Sequence, residues 1–118
     1  MSHFFARPEL HNAGDGDYEL LHKVMAVAGY YRVIQLKDGH WYDLPTGEYY
    51  KNTIDSTTIT STTIERYEVE DAILQIVNNN TDKGKDYSLV LTKSFTSDVC
   101  LKLKRTTDTS KLPPGENL

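Results

Sequence analysis

The chain has 118 residues, 38% of them hydrophobic and 25% charged, which suits one globular domain with a real core and argues against a disordered chain. Its 13 basic and 17 acidic residues leave a net charge of -4, so no long-range attraction draws it to a polyanion and non-specific nucleic-acid binding is disfavoured. A single cysteine, Cys100, excludes an internal disulfide and a cysteine-built zinc site and suits the reducing cytoplasm; a signal peptide and an apolar run of about 20 residues are both lacking, so neither export nor contact with a membrane is expected.

Residues 3–10 (HFFARPEL) read as a first strand, with Pro8 confining it to a strand start, bulge or edge position. A loop over 12–17 ends in Asp17, a carboxylate suited to cap the first turn of a helix. That helix carries Leu20, Leu21, Val24, Met25, Val27 and Ala28 at three- and four-residue spacing, and Gly29 stands where a left-handed cap belongs. Residues 30–36 (YYRVIQL) predict a second strand, which reverses at Lys37-Asp38-Gly39. Residues 40–47 approach the sheet again and are interrupted at Pro45; a third strand runs from Glu48 toward Thr57.

The Thr- and Ser-rich stretch 58–63 either extends that strand or caps a second helix, whose inward positions are Ile64, Val69, Ala72, Ile73, Ile76 and Val77. Glu65, Glu68, Glu70 and Asp71 lie early in this helix, where its dipole favours acids, and residues 78–84 end it. A fourth strand over 87–93 and an extra C-terminal strand over 99–104 follow from alternating apolar positions. The pattern predicts an α+β protein: a ferredoxin-like β-α-β-β-α-β sandwich with two helices on one face of an antiparallel sheet. It fills residues 1–105, and 106–118 form a flexible tail with too little apolar content to pack. The uncovered sheet face then awaits the Trp41 region, the extra strand or a second copy of the chain in a homodimer.

Glu9 and His11 lie two apart at the end of the first strand and point to one side if that strand stays extended, where a carboxylate orients or charges an imidazole. His22, beside the apolar stripe of the first helix, reaches that pair if the helix packs across the strand. These three form the candidate catalytic set; the plainer reading makes each a solvated edge residue or a boundary histidine satisfied by a neighbour. Arg7 and Arg32, in strands expected side by side at the centre of the sheet, would clamp a phosphate or else pair with surface acids. Trp41 with Tyr42, and Tyr49 with Tyr50, offer rings that stack unpaired RNA bases or fill a core or dimer interface. Lys102, Lys104 and Arg105 make a basic end too short to be a nucleic-acid signature by itself. The four histidines are unclustered, and the sequence has no His-Glu-x-x-His, no glycine-rich phosphate loop and no Gly-x-Ser-x-Gly elbow, so no metal or cofactor is expected. A metal-independent nuclease, a binding module and a partner-specific inhibitor all fit.

Residues 5–11, Tyr18-Glu-Leu-Leu21-His22, Met25, Gly29-Tyr30, Arg32-Val33-Ile34 and above all Trp41-Tyr42-Asp43-Leu44-Pro45-Thr46-Gly47-Glu48-Tyr49 resemble the GhoS-like family of small bacterial and phage proteins, over roughly residues 3 to 93. The resemblance implies the ferredoxin-like fold shared with the small CRISPR adaptation nuclease. It also implies an antitoxin-type protein of a toxin-antitoxin pair that binds or cleaves RNA, since the GhoS antitoxin is described as an endoribonuclease acting on the messenger of its membrane toxin. This chain adds the Thr-rich segment and a C-terminal extension. Joined to the histidine spacing, the likeness makes His11 and His22 base and acid on a ribose 2′-hydroxyl, with Arg7 or Arg32 holding the phosphate. No site residue is transferred from the family. The rival reading is a non-catalytic dimeric accessory protein of a phage or mobile element, binding a host or toxin-system protein through its tyrosine-rich surface.

Overall fold

The computed structural model describes residues 2–11, 13–53, 62–79, 86–96 and 98–118. Strand β1 (Ser2–Leu10) leads into helix α1 (Asp15–Val27), then β2 (Val33–Gln35), β3 (Trp41–Asp43), β4 (Tyr49–Thr53), helix α2 (Thr62–Asn79), β5 (Tyr87–Ser94) and a 3-10 turn over Thr109–Lys111. The run of the third strand to Thr57, most of the Thr-rich stretch and the end of the second helix over 80–84 lie outside the described residues.

Helix α1 starts two residues before the Asp17 cap that the sequence suggested. Gly14 is the N-cap, and Asp17, in the third helical position, accepts the Gly14 amide at 3.1 Å. The acid still serves a free amide, from inside the first turn rather than ahead of it. At the other end Gly29 has φ +89, its N–H donates to the Ala26 carbonyl and the Tyr30 N–H to the Met25 carbonyl, each at 2.9 Å. That pair of bonds is a Schellman closure, sealed by packing of Tyr30 with Met25 in the core. Gly39, with φ +83, lets the chain reverse between β2 and β3 in a five-residue connection.

The chain is an α+β protein with two helices and an antiparallel sheet, though not one four-stranded sheet. Three strands pair antiparallel in the order β4-β1-β5, while β2 and β3 form a separate two-stranded ribbon. Among the described residues, the Tyr31–Tyr50 bridge alone joins the residues before β2 to β4. The expected side-by-side placement of the strands carrying Arg7 and Arg32 is therefore corrected: β4 and β5 occupy both edges of β1, and the chain at Tyr31 meets the sheet on the far edge of β4. The edge position expected of Pro8 is visible in the ladder. Because the His11 N–H donates to the Asp86 carbonyl at 2.8 Å, even-numbered residues of β1 turn their backbone toward β4. Pairing with β4 ends at Ala6 opposite Tyr49, so the missing Pro8 N–H deprives no partner.

Phe4, Ala6 and Leu10 alternate onto one face of β1 and meet Leu21 and Met25 of α1 and Val69, Ala72, Ile73 and Ile76 of α2 in one buried cluster. Helix α2 buries the expected stripe from Val69 to Val77 and departs from it only at Ile64. Ile64 is 51% exposed and Glu65 is 2% exposed, because position 65 continues the 69, 72, 73, 76 stripe at helical spacing and position 64 lies about 100° off it. The buried carboxylate is satisfied. Tyr30 donates to it at 2.9 Å and the Lys51 ammonium stands 3.0 Å away. Leu20 and Val27, expected on the inner stripe of α1, are likewise exposed.

Residues 99–104 form no strand. They run as irregular chain to the β2–β3 ribbon, which they and Arg105 meet through the bridge between Tyr42 and Arg105 and through the Asp43 N–H, which donates to the Lys104 carbonyl at 2.8 Å. The segment expected as a loose tail is docked. Thr106 is buried with its N–H on the Trp41 carbonyl at 3.0 Å, and Leu112 is 7% exposed. One leucine followed by Pro113-Pro114 sufficed where average composition argued for none, since a single large apolar side chain contributes about 1.5–3 kcal/mol when buried.

Candidate functional site

A concavity of about 560 Å³ lies between α1, the chain leading into β2, the start of β4 and the docked C-terminal segment. Each wall has a local cause. Helix α1 presents Glu19, His22 and Lys23 because its apolar residues face the core; the Schellman closure turns the chain so that Tyr31 and Arg32 follow at once; the 3-10 turn, capped by the Asp108 carboxylate on the Ser110 amide at 2.9 Å, delivers Lys111.

Two of the residues singled out from the sequence, His22 and Arg32, meet here. The His22 Nδ1 is hydrogen bonded to the Tyr49 hydroxyl, and their rings lie 5.8 Å apart. Burial, and after it the Arg32 charge, holds the imidazole below its ordinary pKa, while burial pushes the Tyr49 phenol up. A neutral imidazole beside a protonated phenol means that Tyr49 donates to Nδ1, which leaves the proton on Nε2. Arg32 is half-buried and makes no ion pair or side-chain hydrogen bond among the described residues. Lys111 is held 3.4 Å from Asp43. The lining thus carries Lys23, Arg32 and Lys111 against Glu19, a local charge opposite in sign to that of the whole chain.

The other candidates fall elsewhere. His11 bonds through Nε2 to the Ser88 hydroxyl at 2.9 Å, and Glu9 stands opposite that same serine in the β1–β5 ladder, exposed. His22 instead bonds to Tyr49 of β4, on the other side of β1 and opposite Ala6. Five residues of strand, roughly 16 Å, separate Ala6 from His11, so the two histidines do not share a site. Arg7 points to the face of β1 away from the helices, 65% exposed and 3.7 Å from Glu48, which is the surface ion pair. Tyr42 and Trp41 take opposite faces of β3: the Tyr42 hydroxyl donates to Asp38, while the Trp41 indole turns into a second, smaller cavity. Lys111 was not foreseen, because it sits in the segment taken for a tail; the neighbouring Leu112-Pro113-Pro114 was the signal that this segment packs.

Among the described residues no group of three His, Cys, Asp or Glu side chains could hold a metal ion, and no helix is long and apolar enough to cross a membrane. No family model, no curated protein and no solved structure matches the chain.

Proposed function

We propose that the protein is a GhoS-like, antitoxin-type RNA-binding protein that seats a backbone phosphate of single-stranded RNA in the cavity between α1 and the C-terminal segment. One observation carries this reading: Arg32, a half-buried guanidinium that makes no contact ion pair or side-chain hydrogen bond among the described residues, stands in a concavity whose other cations are Lys23 and Lys111. A planar guanidinium fork is the group best matched to a phosphate. The same reading takes the fold as a ferredoxin-like β-α-β-β-α-β plan whose second strand has shrunk to the Tyr31–Tyr50 bridge. It is supported by the antiparallel order β4-β1-β5 and by helices that follow the first and the fourth strand.

Binding is favoured over cleavage. General acid-base attack on a ribose 2′-hydroxyl needs two proton carriers flanking one phosphate, and here His11 and His22 stand apart, with the basic nitrogen of His22 committed to Tyr49. The test is a titration of fluorescein-labelled single-stranded RNA at two salt concentrations. Arg32→Ala should weaken binding about ten-fold or more, the scale of losing one charge-assisted contact, and flatten the salt dependence. Equal affinity of the variant and the parent would dispose of the site, and turnover of the RNA would replace binding with catalysis.

A second reading has its own support. Val90, Phe95, Val99 and Leu101 are 61–81% exposed along and beside β5, the edge strand of the sheet. An eight-residue edge bordered by apolar side chains suits antiparallel pairing with β5 of a second copy, with Val90 meeting its counterpart near the two-fold axis.

A further inference from the structure

Trp41 is the only tryptophan of the chain, and its Nε1 is the one buried side-chain nitrogen or oxygen without a hydrogen-bond partner among the described residues. Its half-buried indole lines a cavity of about 320 Å³ together with the rings of Tyr31 and Tyr50 and the side-chain amides of Gln35 and Asn52. Tyr31 belongs to both cavities, so this one adjoins the cationic site. The division of charge is sharp: no lysine or arginine lines the smaller cavity, and Glu116 stands at its wall. A phosphate is repelled there and seated next door.

We propose that the smaller cavity receives an unpaired nucleobase of the RNA whose phosphate lies against Arg32, an inference that rests on the RNA-binding reading above. Two requirements converge on that ligand class. Flat rings at the wall offer stacking surface that every base can use. The Asn52 amide, which makes no side-chain hydrogen bond among the described residues, and the Gln35 amide oxygen, whose nitrogen is already given to the Gly39 carbonyl at 3.0 Å, supply the complementary donors and acceptors for a base edge. The volume lies at the small end of ligand sites and fits one ring system rather than a folded cofactor.

The test uses the chain's own fluorophore. Tetranucleotides of adenylate, cytidylate and uridylate are titrated while Trp41 emission is followed, beside an abasic ribose-phosphate oligomer of the same length whose binding is read by competition against labelled RNA. Base-bearing oligomers should quench Trp41 and bind about ten- to hundred-fold more tightly than the abasic one, the range of one stacked base. Asn52→Ala, at an exposed position, should lower affinity for base-bearing oligomers and leave the abasic affinity unchanged. Trp41→Phe, read by competition against labelled RNA, should keep most of the stacking. Equal binding of abasic and base-bearing oligomers, with Trp41 emission unmoved, would overturn the base site while leaving the phosphate site standing; failure of every oligomer to bind would overturn both.

Discussion

Replacing Glu65 by alanine tests the account of the core, because this side chain is a charge the fold has chosen to bury. Its carboxylate is 3% exposed, accepts the Tyr30 hydroxyl at 2.9 Å and lies 3.0 Å from the Lys51 ammonium. Glu65→Ala leaves the Tyr30 hydroxyl buried without its acceptor, at a cost of about 1–3 kcal/mol. It also strips Lys51 of its nearer carboxylate. That second cost is well below the roughly 3–5 kcal/mol of breaking a fully buried pair, since Lys51 is 21% exposed and keeps Glu68 at 3.3 Å. Together the loss should be about 3 kcal/mol, and a urea midpoint lower by about 2 M for a slope near 1.5 kcal/mol/M. Glu65→Gln retains an acceptor for Tyr30 and should cost about 1 kcal/mol. Urea unfolding followed by circular dichroism, with unchanged slope, gives both numbers; a Tyr30→Phe background should shrink the alanine effect by about 1 kcal/mol through their shared bond. If the alanine and glutamine variants unfold within about 0.5 kcal/mol of each other and of the parent, the network is incidental and the burial of position 65 has another cause.

Below the ordinary histidine value of 6.5, the unfolded chain takes up a proton at His22 before the folded protein does, because burial and Arg32 hold the folded pKa down. Stability contributed there is complete above 6.5 and is lost as pH falls, so the parent should lose more stability between pH 7.5 and 5.5 than His22→Gln. The difference between the two proteins is the quantity to read, since Glu48, whose pKa burial raises, pulls the total the other way. Gly29→Ala should destabilise by about 1–2 kcal/mol by forcing a side chain into the left-handed region, with its Cβ also 3.3 Å from the Lys51 Cε. Gly16→Ala, in the first turn of α1 with nothing within 4 Å, should instead stabilise by up to about 1 kcal/mol in the same melts. Val90→Lys should hold the protein monomeric in sedimentation at concentrations where the parent associates, if β5 pairs with its own copy; a monomeric parent removes that reading.

How much of this was legible in the residues depended on whether a local rule or a tertiary contact decided the outcome. Gly29, Gly39 and Pro8 act through backbone conformation, which each residue dictates by itself, and all three were readable. The inward stripe of α2 was readable from Val69 to Val77, but hydrophobicity alone put Ile64 inside, whereas Glu65 continues the stripe and finds Tyr30 and Lys51, contacts that span 35 and 14 residues of sequence. His22 and Arg32 were singled out separately, for different partners; the structure brings both to one concavity, where His22 bonds to Tyr49, and no spacing rule predicts that meeting. The separation of His11 from His22 was equally invisible, since it depends on which neighbours flank β1. Lys111 was lost to an averaging error, in which a mostly polar stretch was judged without weighing its one leucine.

The docked C-terminal segment has a practical corollary. Ser110, Lys111, Leu112 and Pro114 furnish one side of the larger concavity, and Pro113 and Glu116 reach the smaller. An affinity tag appended after Leu118, or a shortened version made for crystallisation, would therefore alter the walls of both concavities. A tag ahead of β1 lies away from the residues that line the larger concavity but close to the smaller, since His3 pairs with Asn52 and bonds to Tyr50.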